Sequence, residues 1–427
     1  MTRLRAGFAR TFRSMEVRNY RFYFFGQIVS VSGTWMQGVA QAWLVTSLTT
    51  SGIALGTTAA LQFTPMLLAG AWGGVIADRF DKRRILIATQ TASATLALTL
   101  GIVVALHAEQ LWVIYLMAFL LGLVNLVDMP TRQAFVMEIV GPDNIANAVS
   151  LNSVVVNAGR IVGPALAGIL IWKVGTAVCF FVNAASYLAV IGALLAMRRS
   201  ELLRAARVER QPGQLREGFR YAWGDPELRR PLALVGVVGL LAFNFSIFLP
   251  LMARHELHSN AAGFGALTAM LGVGAVVGGL LVAARGRTDA RLMAGAGVAT
   301  GVALVVSSAM PTLPLEMMAV VPLGIAMIAF IASANSLLQL RSRPQMRGRV
   351  MALYGVLFLG TTPVGALLMS GVAQALNVRD AMAIAGGITL LAGLAVLRAV
   401  LRAGRAEVAV IEPRRVPSAD SIPARAS

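Results

Sequence analysis

The stretch that decides the fold is "GGVIADRFDKRR", residues 73–84. The chain is 57% hydrophobic and only 13% charged, yet six of the seven residues from 78 to 84 are charged. Long apolar segments lie on both sides of this cluster. A short charged turn between two segments that are each long enough to span a bilayer is typical of a loop at a membrane surface. The stretch therefore predicts two consecutive transmembrane helices.

The rest of the chain repeats this arrangement. Its mean hydropathy is +0.73, and soluble proteins carry about 25% charged residues. Transmembrane β-strands would be about 10 alternating residues long, whereas helical spans need about 20 apolar residues. We predict an all-α membrane protein with twelve transmembrane helices, at 22–48, 53–77, 85–106, 111–131, 147–171, 175–197, 231–253, 262–284, 290–309, 313–337, 350–373 and 380–402.

Basic residues are distributed unevenly across the predicted loops. The formal net charge is +18, and with the N-terminus inside, 33 of the 37 Lys and Arg residues fall on the inner side. Lys173, Arg254 and Arg379 lie in outer loops, and Arg160 lies within a span. This positive-inside bias predicts a multi-pass membrane protein with both termini in the cytoplasm. It explains the charge without a nucleic-acid partner.

One long polar interval divides the predicted spans into two sets of six, and we expect it to contain an amphipathic helix at the inner membrane face. The predicted segments are a cytoplasmic N-terminal segment (1–21), a first six-helix bundle (22–197), a cytoplasmic linker (198–230), a second six-helix bundle (231–403) and a disordered cytoplasmic tail (404–427). Cys179 is the only cysteine, so we expect no disulfide, no metal site and no cofactor. His255 and His258 could form a metal pair, but a solvated loop is the simpler interpretation.

The two sets of spans resemble each other. Gly70-xxx-Gly74 and Gly274-xxx-Gly278 both precede charged loops, and "IVGPALAG" (161–168) corresponds to "PVGALLMSG" (363–371). Two parallel, pseudo-symmetric six-helix repeats joined by a basic linker are typical of the major facilitator fold.

Longer stretches carry a closer resemblance. "RNYRFYFFGQIVSVSGTWMQGVAQAWLV" (18–45) and "DMPTRQAFVMEIVGPDNIANAVSLNSVVVNAGRIVGPALAGIL" (128–170) resemble the enterobactin-exporter-like and macrolide-efflux-like, or transmembrane secretion effector, subfamily of the major facilitator superfamily. The similarity to the superfamily runs from about residue 18 to 402. It implies a secondary active transporter that works by alternating access and is not an enzyme.

The charged loop itself is similar to the superfamily signature Gly-xxx-Asp-Arg-x-Gly-Arg-Arg. The matching residues are Gly74, Asp78, Arg79, Arg83 and Arg84, and Asp81 stands where glycine is usual. We expect the glycines before it to let the eleventh span approach the second. Asp78 would then face the positive N-terminal end of the eleventh span, near 347–349. This contact would be a conformational latch, formed only when the inner side closes. The alternative is that the bases only set the topology.

Charged residues inside the spans are functional candidates because a charge in the bilayer is costly. Arg160 should face the interior with a partner, and Asn157 shares its polar face. Asp128 is the candidate partner and the candidate proton site. Arg132, one turn after Asp128, could instead pair with it as a structural clamp. Both interpretations of Asp128 stay open.

The fifth predicted span also carries a resemblance. "GRIVGPALAG" (159–168), which includes Gly163 and Pro164, is similar to the antiporter signature Gly-xxx-Gly-Pro-xx-Gly-Gly of the superfamily, with Ala167 in place of one glycine. This resemblance implies export.

Polar side chains in the spans suggest the kind of substrate. Gln37 and Gln41 lie one turn apart on the first span. Further polar and aromatic candidates are Trp35, Met36, Trp43, Asn125, Asn244, Phe248, Asn335 and Gln339. Such a cavity suits an amphipathic small molecule of the drug or siderophore type, although single amides could instead join helices.

We therefore expect a proton-coupled exporter that contacts lipids and acts as a monomer. An importer or a lipid flippase on the same fold is the alternative. A polytopic membrane enzyme is less consistent with the sequence, which contains no H-E-x-x-H, G-x-S-x-G, C-x-x-C or P-loop motif.

Overall fold

The computed structural model of the protein describes residues 13–203 and 214–411. Within these ranges every regular element is a helix. Residues 1–12, 204–213 and 412–427 lie outside the described part, and so do the predictions made for them.

Besides short 3-10 helices at Arg13–Glu16 and Arg199–Glu201, the described chain forms twelve long helices and one short α-helix. They are α1 (Arg18–Leu48), α2 (Gly52–Arg79), α3 (Lys82–Ala105), α4 (Leu111–Val140), α5 (Ile145–Lys173), α6 (Thr176–Ala196), α7 (Gln214–Gly224), α8 (Pro226–Glu256), α9 (Ala261–Arg285), α10 (Ala290–Ser308), α11 (Leu313–Arg341), α12 (Arg347–Ala375) and α13 (Val378–Ile411). Helix α7 lies in the predicted linker, and α8–α13 correspond to the seventh to twelfth predicted spans. We call α1–α6 the first half and α8–α13 the second half.

Eleven helices of the described residues are long and apolar enough to cross a membrane. Helix α1 is not among them, because Ser, Thr and Gln side chains interrupt its apolar residues. The all-helical, multi-pass fold is confirmed. A crossing by α1, and with it the count of twelve spans in two six-helix bundles, stays a prediction.

Helix α13 is longer than expected. It continues past the predicted boundary at 403 to Ile411. Residues 405–411 are Arg, Ala, Glu, Val and Ile, which a helix accommodates, and Pro413 is the first residue that opposes it. The beginning of the predicted tail is therefore helical.

Two helices of the second half contain π-helical turns, each near its middle and α8 also at its end. Helix α8 contains π-helical turns at Val238–Ala242 and Met252–Glu256, and α12 contains one at Val356–Gly360. At the first break the Asn244 side chain donates hydrogen bonds to the backbone oxygens of Leu240, at 2.8 Å, and Leu241, at 3.1 Å. The side chain thus satisfies acceptors that a regular helix would pair internally. Interruptions of this kind are frequent at functional sites.

Of the glycines before the charged loop, Gly73 packs against α4. A Cβ added at Gly73 would lie 2.0 Å from the backbone oxygen of Leu126, on α4. A Cβ at Gly70 would meet only Met66 of its own helix. The close approach at Gly73 is therefore between α2 and α4 in this structure, and the approach of the eleventh predicted span, expected when the inner side closes, stays a prediction. In the second half, Gly274 and Gly278 pack in the same way against α11.

The two ends of the molecule differ. We call the end where α2 meets α3 and where α12 begins the basic end, and the other the opposite end. At the opposite end the Gly52 backbone N–H donates to the Gln374 Oε1 at 2.7 Å, and a Cβ on Gly56 would lie 2.7 Å from the Ala366 backbone oxygen. These contacts join α2 to α12.

A second contact joins the halves at the same end. A Cβ on Gly265 of α9 would lie 2.5 Å from the backbone oxygen of Pro164, and one on Gly272 would lie 2.9 Å from that of Arg160. Toward the basic end, the first part of α12 (Arg347–Gly355) packs against α7, α8 and α11, whereas its later part packs against α2 of the first half. The halves therefore touch at the opposite end and separate toward the basic end.

Candidate functional site: a central cavity between the halves

A cavity of about 340 Å³ lies between the two halves. Both halves contribute to its wall, so that neither half forms it alone. From the first half the lining residues include Thr34, Trp35, Gln37, Gly38, Gln41, Thr58, Gln62, Phe63, Asn125, Arg160 and Tyr187; from the second they include Phe243, Phe245, Ser246, Phe264, Thr268, Met327, Leu359 and Thr362. We call this space the central cavity.

Gln37 and Gln41 lie on its wall, on one face of α1. The Gln37 Oε1 accepts a hydrogen bond of 2.5 Å from the Asn183 Nδ2 of α6, so this amide also joins two helices. Both glutamine side chains are mostly buried. Their spacing of one helical turn brings them to the same surface.

Arg160 also lines the central cavity. Its guanidinium carbon lies 5.0 Å from the centre of the Trp35 ring, which is a cation–π arrangement. Its Nε is buried and has no hydrogen-bond partner among the described residues. The lining residues that the structure describes include no other charged side chain. Arg160 therefore faces the cavity, and the contact described for it is with an aromatic ring, not with Asp128.

Asp128 lies in a separate polar cluster. Its Oδ2 accepts hydrogen bonds from the Arg132 Nη2 at 2.7 Å and Nε at 3.1 Å. Its Oδ1 accepts from the Thr89 hydroxyl at 2.7 Å and from the Gln90 Nε2 at 2.9 Å. Arg132 also donates to the Gln27 side chain. We call these five residues the Asp128 clamp; they join α1, α3 and α4, and Pro130 does not prevent the pairing.

The antiporter-like stretch of α5 forms packing surfaces. A Cβ on Gly163 would lie 2.6 Å from the backbone oxygen of Ser32 on α1. The Pro164 backbone oxygen meets Gly265 of α9. Asn157 donates at 2.9 Å to the Ser153 backbone oxygen of its own helix. Gly163 and Pro164 thus set how closely α5 approaches its two neighbours, beside the cavity-lining Arg160.

The residues of the charged loop have separate roles in this structure. Gly74 is buried, Asp78 is half-buried and Arg79 is exposed. Arg83 donates to the backbone oxygens of Leu194, at 2.6 Å, and Leu195, at 3.2 Å, at the end of α6. Those carbonyls have no intrahelical partner, so Arg83 caps α6.

Asp81 has a specific role at the position where the superfamily usually has glycine. Its Oδ1 accepts from the Arg84 backbone N–H at 2.8 Å, and it is the N-cap residue of α3. Aspartate therefore provides a helix start at this turn.

The start of α12, where the latch partner was predicted, packs against α7. The Arg349 Nη1 lies 2.5 Å from the Glu217 Oε1, and a Cβ on Gly218 would lie 2.8 Å from that of Arg349. In addition, the Arg343 backbone N–H donates to the Tyr221 hydroxyl at 3.3 Å. The linker helix therefore holds the basic end of α12 in this arrangement.

Several further candidates from the sequence lie outside the cavity wall. Phe248 is fully buried, Asn244 bonds to its own helix, and the Gln339 Nε2 donates to the Asn335 Oδ1 at 2.6 Å. Conversely, sequence reasoning missed Gln62, Tyr187 and the phenylalanines at 63, 243, 245 and 264. Hydrophobic spans contain many such side chains, and only the packing shows which ones face the cavity.

No group of three or more His, Cys, Asp or Glu side chains that could hold a metal ion occurs in the described residues. Cys179 is buried, with its Sγ 4.0 Å from the Ala167 backbone oxygen.

Comparison with known proteins assigns the chain to a family. Residues 9–420 match the transmembrane secretion effector family. The multidrug efflux pump Tap of Mycolicibacterium fortuitum is 26% identical over 82% of this chain and 88% of its own length. The enterobactin exporter EntS of Salmonella typhi is 24% identical over 88% of this chain and 91% of its own. A staphyloferrin A transporter of Staphylococcus aureus is 28% identical, but this match spans only 43% of that protein.

Solved structures share the fold at low identity. A bacterial homolog of the human lysosomal transporter Spinster superposes with a TM-score of 0.66 at 15% identity, over 89% of this chain and 95% of that one. The nucleoside transporter NupG gives a TM-score of 0.70 at 11% identity, over 89% of this chain and 98% of that one. With the family match covering nearly the whole chain, these findings lead to one conclusion: the chain belongs to the transmembrane secretion effector family of the major facilitator superfamily, and it is a membrane transporter, not an enzyme.

Proposed function

We propose that this protein is a secondary active exporter that moves amphipathic small molecules, of the drug or siderophore type, across the bacterial inner membrane. The observation that carries the proposal is the central cavity, which is built from both halves and lies where the halves separate toward one end only. The names of the full-length relatives, a multidrug efflux pump and an enterobactin exporter, support the substrate class and the direction.

The way in which the cavity is enclosed supports alternating access as the mechanism. The contacts of α2 with α12 and of α5 with α9 close the opposite end. These contacts depend on glycine, whose missing side chain lets backbones approach and also leaves no interdigitated side chains to separate. Rocking of the halves would open this end and close the basic end around the same cavity. The described arrangement is one of the two states.

The basic end is the cytoplasmic side in this proposal, because it carries most of the Lys and Arg residues. The described state is then open to the cytoplasm, from which an exporter takes its substrate. The resemblance of "GRIVGPALAG" to antiporters supports protons as the counter-ion. Both termini are cytoplasmic, and one chain contains the whole cavity.

The latch contact between Asp78 and the start of α12 would form in the other state, in which the cytoplasmic side is closed. In the described state Arg349 is paired with Glu217 of α7. When the cytoplasmic side closes, the start of α12 would leave α7 and approach Asp78, and the helix N-terminus would attract the carboxylate. On α2, Gly74 lies about one turn before Asp78, and Arg79 directly follows it. Arg83, which caps α6, would hold the neighbouring helix end in place.

Transport in everted inner-membrane vesicles tests the function. We expect proton-driven accumulation of fluorescent amphipathic dyes or siderophores in vesicles that contain the protein, and loss of accumulation after a protonophore is added. Vesicles with the Arg160→Ala variant provide the site control. Uphill accumulation that persists with the protonophore would contradict proton coupling, and accumulation only in right-side-out vesicles would contradict export.

A further inference from the structure

We propose that the central cavity selects organic anions, and that the Arg160 guanidinium binds the acidic group of the substrate. This inference rests on the proposed transport function and narrows its substrate class from amphipathic molecules in general to aromatic or apolar molecules with a negative charge.

The charge of the wall is the first reason. Among the lining residues that the structure describes, Arg160 is the one charged side chain, and the remaining polar groups are neutral amides and hydroxyls. No salt bridge of Arg160 occurs among the described residues. A single cation in a wall of low dielectric constant produces a positive potential, which concentrates anions and repels cations.

The Asp128 clamp is the second reason. Asp128 is the acid that the sequence suggested as a partner of Arg160. Four hydrogen bonds, two of them from Arg132, already occupy both of its oxygens. It is therefore committed to another cation. A bound anion would therefore give Arg160 the ionic partner that Asp128, held in the clamp, does not provide.

The local geometry of Arg160 supports ligand binding. The Arg160 guanidinium carbon lies over the Trp35 ring, 5.0 Å from its centre, and this cation–π contact helps to hold the side chain at the wall. A guanidinium carries five N–H donors in a planar fork that matches the geometry of a carboxylate. Its Nε is buried and has no hydrogen-bond partner among the described residues, so the hydrogen-bonding capacity of Arg160 is not fully used within the protein.

The remaining wall indicates the body of the ligand. Aromatic rings come from Phe63, Phe243, Phe245 and Phe264, and the amides of Gln37, Gln41 and Gln62 provide neutral hydrogen-bonding groups. Flat rings suit an aromatic body, and the amides can pair with hydroxyl groups. A cavity of about 340 Å³ lies at the lower end of the range for small-molecule sites.

The test uses three probes of one shape and different charge: 1-naphthoate, 1-naphthamide and 1-naphthylmethylammonium. Binding to the purified full-length protein in nanodiscs of neutral phosphatidylcholine is measured by calorimetry. We expect naphthoate to bind about tenfold to a hundredfold more tightly than naphthamide, the range for hydrogen bonds to a charged group. The ammonium compound should bind more weakly than the amide.

Variants assign the preference to Arg160. Arg160→Gln should lower the affinity for naphthoate until it no longer exceeds that for naphthamide, and a Tm like that of the wild type would show that the variant is folded. Arg160→Lys should keep part of the preference. Arg254→Gln is the matched control, because Arg254 also stacks on a tryptophan, Trp43 at 5.1 Å, but does not line the cavity.

Equal affinity for the three probes, or an unchanged preference in Arg160→Gln, would overturn the inference. An anionic lipid headgroup could offer the same chemistry, so one arm adds phosphatidylglycerol to the nanodiscs. We expect phosphatidylglycerol not to displace naphthoate. Displacement would show that the site binds the lipid headgroup, and it would overturn the inference of a soluble anionic substrate. Binding is measured without an ion gradient and so does not depend on transport. Selective binding of naphthoate by a protein that transports nothing would refute the proposed function but not this inference.

Discussion

At the scale of single residues, Asp128 shows how a carboxylate inside a membrane protein can be fully occupied by structural contacts. Thr89 and Gln90 of α3 and Arg132 of α4 donate to its two oxygens, and Gln27 of α1 accepts from the same arginine. These contacts use both oxygens of the carboxylate and fix the positions of three helices relative to one another. The geometry favours the structural clamp over a proton carrier.

The variant Asp128→Asn distinguishes these roles. We expect it to lower the free energy of unfolding by about 2–3 kcal/mol, less than for a fully buried pair, because the Arg132 side chain is 26% exposed. The measurement is the Tm of the purified protein in detergent. Glu201→Gln, which breaks an exposed pair with Arg198, is the control and should leave the Tm nearly unchanged. Wild-type Tm together with loss of proton-driven transport would instead identify Asp128 as the coupling acid.

At the scale of helices, the contact between α5 and α9 depends on the absence of side chains. The backbone oxygen of Pro164 and the Cα of Gly168 would lie 2.5 Å and 2.7 Å from a Cβ at Gly265. Backbone atoms cannot turn aside as a flexible side chain can. Added volume at this contact therefore acts on the closed state of the opposite end.

We expect Gly265→Ala to shift the protein toward the state that is open at the opposite end. Overpacking costs about 1–3 kcal/mol, so the population ratio should change about fivefold or more. The reporter is a cysteine at Thr58, which lines the cavity, in a Cys179→Ala background. Its alkylation by a membrane-impermeant maleimide from the external side should accelerate. Gly295→Ala, with open space within 4 Å of the added Cβ, is the control, and equal rates in both would contradict the prediction.

The linker helix α7 is the second element that we expect to influence the arrangement of the halves, through its contact with the start of α12. The ion pair between Glu217 and Arg349 is partly exposed and contributes little to overall stability. It is formed at the end of α12 that would move in the proposed transport cycle, so we expect its effect on the balance between the two proposed states.

We therefore expect Glu217→Gln to leave the Tm unchanged and to favour closure of the basic end by a factor of about 2–5. The Thr58→Cys reporter measures this as faster external labelling. Asp225→Asn provides a comparison, since Asn also serves as the N-cap of α8. Unchanged labelling in Glu217→Gln would show that α7 does not restrain α12.

At the scale of the whole molecule, the charge distribution predicts the orientation of the protein in the membrane. The loop between α8 and α9 lies at the opposite end, and the loop between α9 and α10 lies at the basic end. With the basic end in the cytoplasm, a cysteine at exposed His258 should react with impermeant maleimide in intact cells. A cysteine at exposed Arg287 should react only after permeabilisation. The reverse pattern would invert the topology and the direction of export.

The latch also belongs to the whole molecule, because it would join one half to the other. Asp78→Asn should reduce transport about tenfold, since an anion at a helix N-terminus contributes up to about 2 kcal/mol, with normal membrane insertion. Asp81→Asn is the matched control from the same loop, because asparagine also caps α3. Similar transport in both variants would remove the special role of Asp78.

The sequence by itself determined the class of the molecule. Apolar length and the distribution of basic residues are local properties of the chain, so they predict helices, their approximate ends and the inner side. The spacing of Gln37 and Gln41 likewise fixes that they share one face of α1. The signature residues from Gly74 to Arg84 indicated the superfamily to which the chain belongs.

Only the tertiary structure decided which residues meet. Asp128 is held by Thr89 and Gln90, Arg160 lies over Trp35, and Gly73 packs against α4. Each of these contacts joins helices that are distant along the chain, and no local pattern specifies such a partner. The breaks in α8 and α12 and the closed opposite end have the same origin. They result from the packing of whole helices, which depends on contacts between segments that lie far apart in the sequence.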